Sequence, residues 1–213
     1  MSDISEGPLT LAEMTYRLDC IVMDTETTGF RVDEGHRLIE VATVEVEDWK
    51  VEPIGWATLV KPLREIPPAA TMVHKITNEM VEDAPLPVDV GVGLRFRIGD
   101  TALAFHNANF DLPFLQQFFS DAGAPAITNP VIDTLGLARG IYGTGGNALE
   151  KLCERLGVKR ETAHRALGDA MMTANVLTLM ARWYSRHKGI HTLAELAALS
   201  QDIVRTTGRG HHR

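Results

Sequence analysis

The chain has 213 residues, 45% of them apolar and 23% charged, which excludes disordered, collagenous and coiled-coil classes and suits one domain with a short appendage. Lys and Arg number 21 against 28 Asp and Glu, a net charge of −7, so nucleic acid is not gripped over a broad basic surface. An enzyme that meets a few phosphates through bound cations stays open, because carboxylates that hold such cations themselves make a sequence acidic.

Cys20 and Cys153 sit among apolar neighbours and are expected to be buried free thiols, as in a reducing compartment. The segment MSDISEGPLT carries Asp3 and Glu6 and lacks a basic or apolar leader region, and no run of 18 apolar residues occurs. A cytoplasmic protein without membrane contact is expected.

Residues 1–17 read as a loose lead-in. The apolar run Leu18–Met23 predicts a buried strand that stops at the turn signal Thr27-Thr28-Gly29. From Leu38 to Val46 apolar residues nearly alternate with Glu40 and Glu45, which predicts a strand with one wet face. A third strand, Ile54–Val60, completes an antiparallel meander. After Pro67-Pro68 the pattern turns helical over Ala69–His74, Asn78–Glu82 and Val88–Arg97. Gly91 and Gly93 fall inside the last of these, each costing about 1 kcal/mol against alanine, so that helix is expected to be irregular.

Thr101–His106 reads as another buried strand, followed by a helix whose apolar stripe uses Phe110, Phe114, Leu115 and Phe118. Val131–Asp133 is a short strand running into the helix Thr134–Ile141, with Asp133 as its cap. The GTGGN loop at 143–147 is a turn and not a phosphate loop, since no strand precedes it and no Lys-Ser/Thr follows. Helices over Ala148–Leu156 and about Arg165–His187 follow. In the tail, Leu193, Leu196, Ala197 and Ser200 recur at helical spacing, which predicts an amphipathic helix from Thr192 to about Val204 packed on its own domain, with disordered TTGRGHHR beyond. The expected organisation is a lead-in at 1–17, a main domain at 18–188, and a C-terminal helix with a short basic tail at 189–213. Its class is mixed α/β with helices on the sheet faces.

Three segments carry chemistry. In DTETTG at 24–29, Asp24 and Glu26 stand two residues apart, which on a strand sets both on one face. Same-facing carboxylates at the end of a buried strand need compensation, because an unpaired buried carboxylate costs several kcal/mol. Asp111 ends HNANFD after the fourth apolar strand, and His164 and Asp169 lie five residues apart in AHRALGDA. Five helical positions set two side chains about 140° apart, so His164 belongs to the approach to the helix and Asp169 to its first turns. Two divalent cations held by three or four carboxylates can stabilise both the attacking and the leaving oxygen of phosphodiester hydrolysis. A histidine beside them is suited to accept a proton from water.

DTETTG, HNANFD and HRALGD resemble, in order, the three motifs of the DEDDh 3′–5′ exonucleases, the family that contains the proofreading ε subunit of bacterial DNA polymerase III and ribonuclease T. VHKIT at 73–77, VIDTLGLAR at 131–139 and NALEKLCERLGV at 147–158 resemble that family's intervening segments, and the likeness spans about residues 18–185. It implies a ribonuclease H-like α/β fold with a five-stranded mixed sheet, flanked by helices, in which the first strand is central. It also implies two divalent cations, Mg²⁺ or Mn²⁺. By the same resemblance Asp24, Glu26 and Asp169 hold the first metal, Asp24 bridges to the second, Asp111 joins directly or through water, and His164 is the general base. Thr27, Thr28, Gly29 and Phe30 receive the terminal nucleotide, with His74 and Asn107 as further substrate contacts. Lys75 departs from a glycine common in the family, as a phosphate contact or as a reshaped loop.

The implied activity is release of nucleoside 5′-monophosphates from 3′ ends of single strands, with DNA preferred from the DTETTG form. RNA 3′-end trimming in the manner of ribonuclease T is the alternative. A catalytically weak nucleic-acid or polymerase-binding module is the alternative of another class, against which all five catalytic positions are filled. A polymerase III or homodimer partner is not readable from the residues. The short tail suggests a free-standing enzyme that tolerates deletion of residues 190–213.

Overall fold

The computed structural model describes residues 10, 16–161 and 164–208. Most of the expected lead-in lies outside them, as do the last five residues of the tail. Tyr16 is ordered by packing: its ring lies 4.9 Å from that of Trp49, whose indole N–H donates to the Tyr16 carbonyl at 2.8 Å.

Among the described residues six strands form one sheet: β1 (Cys20–Thr27), β2 (Leu38–Glu47), β3 (Lys50–Val51), β4 (Trp56–Leu59), β5 (Ala102–Phe105) and β6 (Val131–Asp133). The order is β3-β2-β1-β5-β6, with β4 also pairing to β2, so β1 is central as expected. β1 and β2 are antiparallel, as are β2 and β4, whereas β5 and β6 run parallel to β1 and to each other. The two-residue β3 is the strand beyond the expected five; it pairs only with Val46 and Glu47 of β2.

Among the described residues eight α-helices flank the sheet: α1 (Pro68–His74), α2 (Asn78–Val81), α3 (Pro87–Ile98), α4 (Ala108–Asp121), α5 (Thr134–Tyr142), α6 (Leu149–Leu156), α7 (Ala166–Lys188) and α8 (Leu193–Gly208). The period of two in β1 sorts the core. Cys20 and Val22 pack with Ala166, Ala170, Ala174 and Leu177 of α7, while Ile21 and Met23 pack with Leu94 of α3 and Leu115 and Phe119 of α4. Both faces of the central strands are covered, which corrects the expectation of a wet face on β2: Glu40 is 3% exposed, beneath the start of α7. Cys20 and Cys153 are free and buried.

α3 is a continuous helix, not an irregular one. A Cβ on Gly91 would stand 2.4 Å from that of Ala122, so the glycine lets α3 approach the end of α4 closely; its helical cost is offset by packing. The tail helix packs on its own domain, burying Leu196, Ala197, Ser200 and Val204 against α5 and β6. Thr192 caps it as expected, its hydroxyl accepting from the Glu195 N–H at 3.1 Å while Glu195 accepts from the Thr192 N–H at 3.0 Å. The helix runs to Gly208, so Thr206 and Thr207 are helical where disorder was expected. Deletion of residues 190–213, expected from the sequence to be tolerated, would take these buried α8 side chains away from α5 and β6.

Among the described residues, no helix is long and apolar enough to cross a membrane.

Candidate active site

β1 runs through Thr27, to the expected turn signal, carrying Asp24 and Glu26 inside the strand. Their side chains share the face covered by α7, and Asp169 in the first turn of α7 comes down on them. One carboxylate oxygen from each of Asp24, Glu26 and Asp169 lies within 4.8 Å of the others. Asp111 is not part of that group. It sits in the first turn of α4, 3% exposed, and accepts from the Thr25 hydroxyl at 2.7 Å. Thr25 projects to the opposite face from its neighbours Asp24 and Glu26, so one short strand segment addresses both helices.

Burial raises the proton affinity of all four carboxyls, and neighbouring negative charge adds to it. Burial, then repulsion from Asp111, Asp169, Glu26 and Glu40, pushes Asp24 well above the usual carboxylate range. Burial and the Asp169 charge push Glu26 up to about 8, with Arg165 pulling the other way. Burial takes Asp111 to about 7 against the pull of the Thr25 hydrogen bond, and Asp169 to about 6 against the hydrogen bond from the His164 N–H.

His164 precedes α7 in a left-handed conformation, φ 58°. Its main-chain N–H donates to Asp169 Oδ2 at 3.1 Å, while its half-exposed ring has Nε2 4.0 Å from Glu150 Oε1. The ring is thus beside the carboxylate group and not one of its members.

Beyond Glu26 the chain turns. The Thr27 hydroxyl donates to the Gly29 carbonyl at 2.6 Å, and the Thr28 hydroxyl accepts from the Arg37 N–H at 3.0 Å and meets His36 Nδ1 at 3.1 Å. Both threonines are buried with their hydroxyls already engaged, Gly29 lies against the His36 imidazole, and Phe30 stands 84% exposed. His74 is buried, its Nδ1 accepting from the Ile76 N–H at 3.0 Å; burial lowers its pKa, against the opposing pull of Glu40. Asn107 is exposed at the N-cap of α4, φ 73°, with its N–H donating to Asp133 at 3.1 Å.

Lys75 resolves into a loop device. It ends α1 in a left-handed conformation, φ 63°, and its ammonium donates to the Met72 carbonyl.

Asp133 does more than cap α5. Fully buried, it accepts from the N–H groups of Leu135 and Gly136 in α5 and of Asn107 and Ala108 at the start of α4. The helix bearing Asp111 is therefore anchored to β6. Sequence reasoning missed Thr25, the second half of Asp133's role, and the pair Glu40–Arg165, joined at 2.6 Å. The signal for Thr25 was present in the strand period; for the others, partners far apart in sequence left none.

A protein-family model described as Exonuclease matches residues 21–177. The DNA polymerase III subunit epsilon of Pasteurella multocida is 37% identical over 169 residues, covering 75% of this chain and 67% of that protein. The DNA polymerase III subunit epsilon-like protein of Rhodobacter capsulatus is 38% identical over 173 residues, and the chain spans 24% of its length. Among solved structures, exonuclease X in complex with 5′-overhanging duplex DNA superposes with a TM-score of 0.67 at 28% identity, covering 85% of this chain and 99% of that one. Escherichia coli exonuclease I in complex with a dT13 oligonucleotide gives 0.70 at 19% identity over 80% of this chain and 42% of that one, a likeness of ribonuclease H-like fold. With three motifs meeting at one end of a central strand, a sheet of this order and a family model spanning residues 21–177, the chain belongs to the exonuclease family that its motifs resemble.

Proposed function

We propose that this chain is a metal-dependent 3′–5′ exonuclease that hydrolyses single-stranded DNA from its 3′ end to nucleoside 5′-monophosphates. The observation that carries the reading is the convergence of Asp24, Glu26 and Asp169 within 4.8 Å, with Asp111 buried beside them. Four crowded carboxylates, each raised above its ordinary pKa by burial and by its neighbours, form a hard-oxygen donor set that fits Mg²⁺ or Mn²⁺. In this reading Asp24, Glu26 and Asp169 would hold one cation, and Asp24 and Asp111 would hold the other. When bound, the cations would supply charge stabilisation for the attacking and leaving oxygens.

The protein's own groups do the rest. His164, on the approach to α7 with one edge toward solvent, accepts the proton of the attacking water. Phe30 offers an exposed ring on which a terminal base stacks, a sequence-tolerant contact worth about 1–3 kcal/mol. The main chain of Thr27–Gly29 lines the same turn, its threonine hydroxyls engaged in holding the turn's shape. His74, buried with its Nδ1 taken by the Ile76 N–H, and Asn107, exposed at the start of α4, are further candidates for substrate contact.

The same proposal takes residues 18–188 as the nuclease unit and 189–213 as its C-terminal helix and short tail, active in the cytoplasm. Resemblance to epsilon subunits supports DNA as substrate and a polymerase III subunit as a partner.

Initial rates on matched 3′-labelled single-stranded DNA and RNA, with Mg²⁺, Mn²⁺ or a chelator, test it. DNA cleavage to 5′-monophosphates that stops with chelator is expected. Faster cleavage of RNA would replace the DNA reading by end-trimming, and binding without cleavage would leave only a binding module.

A further inference from the structure

Two side chains outside the catalytic set meet beside the carboxylate group. Glu40 lies on β2 directly across from Glu26, and its own side chain is 4% exposed. It accepts from Arg165 Nη2 at 2.6 Å and Nε at 3.1 Å, and from the Ala166 N–H at 3.0 Å. Arg165 is the N-cap residue of α7, in extended conformation, immediately after the left-handed His164. The turn closes on itself from there: the Asp169 N–H donates to the Arg165 carbonyl and the His164 N–H to the Asp169 carboxylate, each at 3.1 Å.

One strand carboxylate therefore clamps both the side chain and the main chain at the point where α7 begins. The position of that point decides where Asp169 stands, since a slip of one helical residue turns a side chain by about 100°. As a stability device the pair is a poor choice, because well-packed apolar residues usually do as well as a buried ion pair. It also sets a further negative charge beside Glu26 and Asp24, a cost that only a positional benefit explains. The guanidinium, with a side chain 41% exposed, faces Glu26 as well as Glu40 and partly offsets that charge.

We propose that Glu40 and Arg165 are a positioning pair: Glu40 fixes the first turn of α7 through Arg165 and Ala166, and so sets Asp169 and His164 relative to Asp24 and Glu26. The inference rests on the metal-dependent reading above. Groups that orient metal ligands without touching the metal typically govern 10–100-fold in affinity or activity.

The test compares the full chain with Arg165→Met, Arg165→Lys, Glu40→Gln and the double variant Glu40→Gln/Arg165→Met. Mn²⁺ affinity is measured by calorimetry, kcat and KM on a 3′-labelled single strand. For Arg165→Met we expect about a 10–100-fold fall in both kcat and Mn²⁺ affinity at unchanged KM, partial recovery with lysine, and no added loss in the double variant. Should Arg165→Met fail to fold, the double variant, which leaves no buried charge unpaired, carries the same comparison. Wild-type kcat and Mn²⁺ affinity in the arginine variant would overturn the proposal, as would a loss confined to KM, which would make Arg165 a substrate contact. Wild-type chain that binds Mn²⁺ but cleaves nothing would defeat the exonuclease reading, and the Mn²⁺ affinities alone would then decide the pair.

Discussion

Two sets of sequestered carboxylates lie at the same edge of the sheet, and they are treated in opposite ways. Asp133 is fully buried, yet four backbone N–H groups from two helices converge on it. Asp24, Glu26 and Asp169 lie half-buried within 4.8 Å of one another, with the His164 N–H on Asp169 and the Arg165 guanidinium near Glu26 offsetting part of their charge. The first arrangement satisfies a charge with the fold's own donors; the second leaves negative charge for something outside the chain to neutralise. Acidic residues withdrawn from solvent thus divide into those that hold the architecture and those that the architecture holds under repulsion.

That contrast is broken most directly at the carboxylate group. Asp24→Ala and Asp169→Ala should abolish hydrolysis of a 3′-labelled strand, yet melt in chelator at or above the wild-type temperature, because each relieves repulsion. Wild-type rates in either variant would remove the site from the mechanism. His164→Ala should slow cleavage by about 10²–10⁴ while leaving Mn²⁺ affinity in place, read as kcat beside a metal titration.

Asp133→Ala should do the reverse of Asp24→Ala, lowering unfolding stability in denaturant by about 2–4 kcal/mol as four N–H groups lose their acceptor. A variant as stable as wild type would erase the distinction between the two sets.

The contrast also has a pH signature. In the unfolded chain Glu26, Asp111 and Asp169 titrate near their ordinary values of 4.5 and 3.8, against about 8, 7 and 6 in the fold. Between these limits the native state binds more protons than the unfolded one, so metal-free stability falls as pH rises. Melting temperature in chelator should drop from pH 5.5 to pH 8, less steeply in Asp24→Asn, and Mn²⁺ should reverse the drop. The smallest effect expected is at Ser200 of α8, whose hydroxyl accepts from the Asp133 N–H at 3.0 Å; Ser200→Ala should cost about 1 kcal/mol by the same denaturant assay.

The sequence showed the three motif segments and the elements that carry them because each is local: a strand ending in DTE, a strand leading into HNANFD, a helix entered through HRALGD. Helix α8 was legible for the same reason, its apolar residues repeating at one period and Thr192 standing at its cap. What stayed hidden depends on contacts between distant positions. Glu40 in an alternating strand reads as a solvent-facing residue, and only the arrival of α7, 125 residues later, buries it. Asp133 showed the helix it begins but not the one whose start it also holds. Gly91 and Gly93 look alike as helix breakers, yet only Gly91 has a neighbour within reach of a methyl group.

Gly91 and Ala122 occupy a single shared volume, since the missing Cβ on one would fall 2.4 Å from the Cβ of the other. The two positions are then expected to evolve as one: across related chains an alanine in α3 should travel with a glycine at the end of α4, and either large residue should be met by loss of the other's methyl. Gly91→Ala should be destabilising alone and largely repaired by Ala122→Gly, so that the distance between α3 and the end of α4 is written in a sum of side-chain sizes and in neither residue by itself.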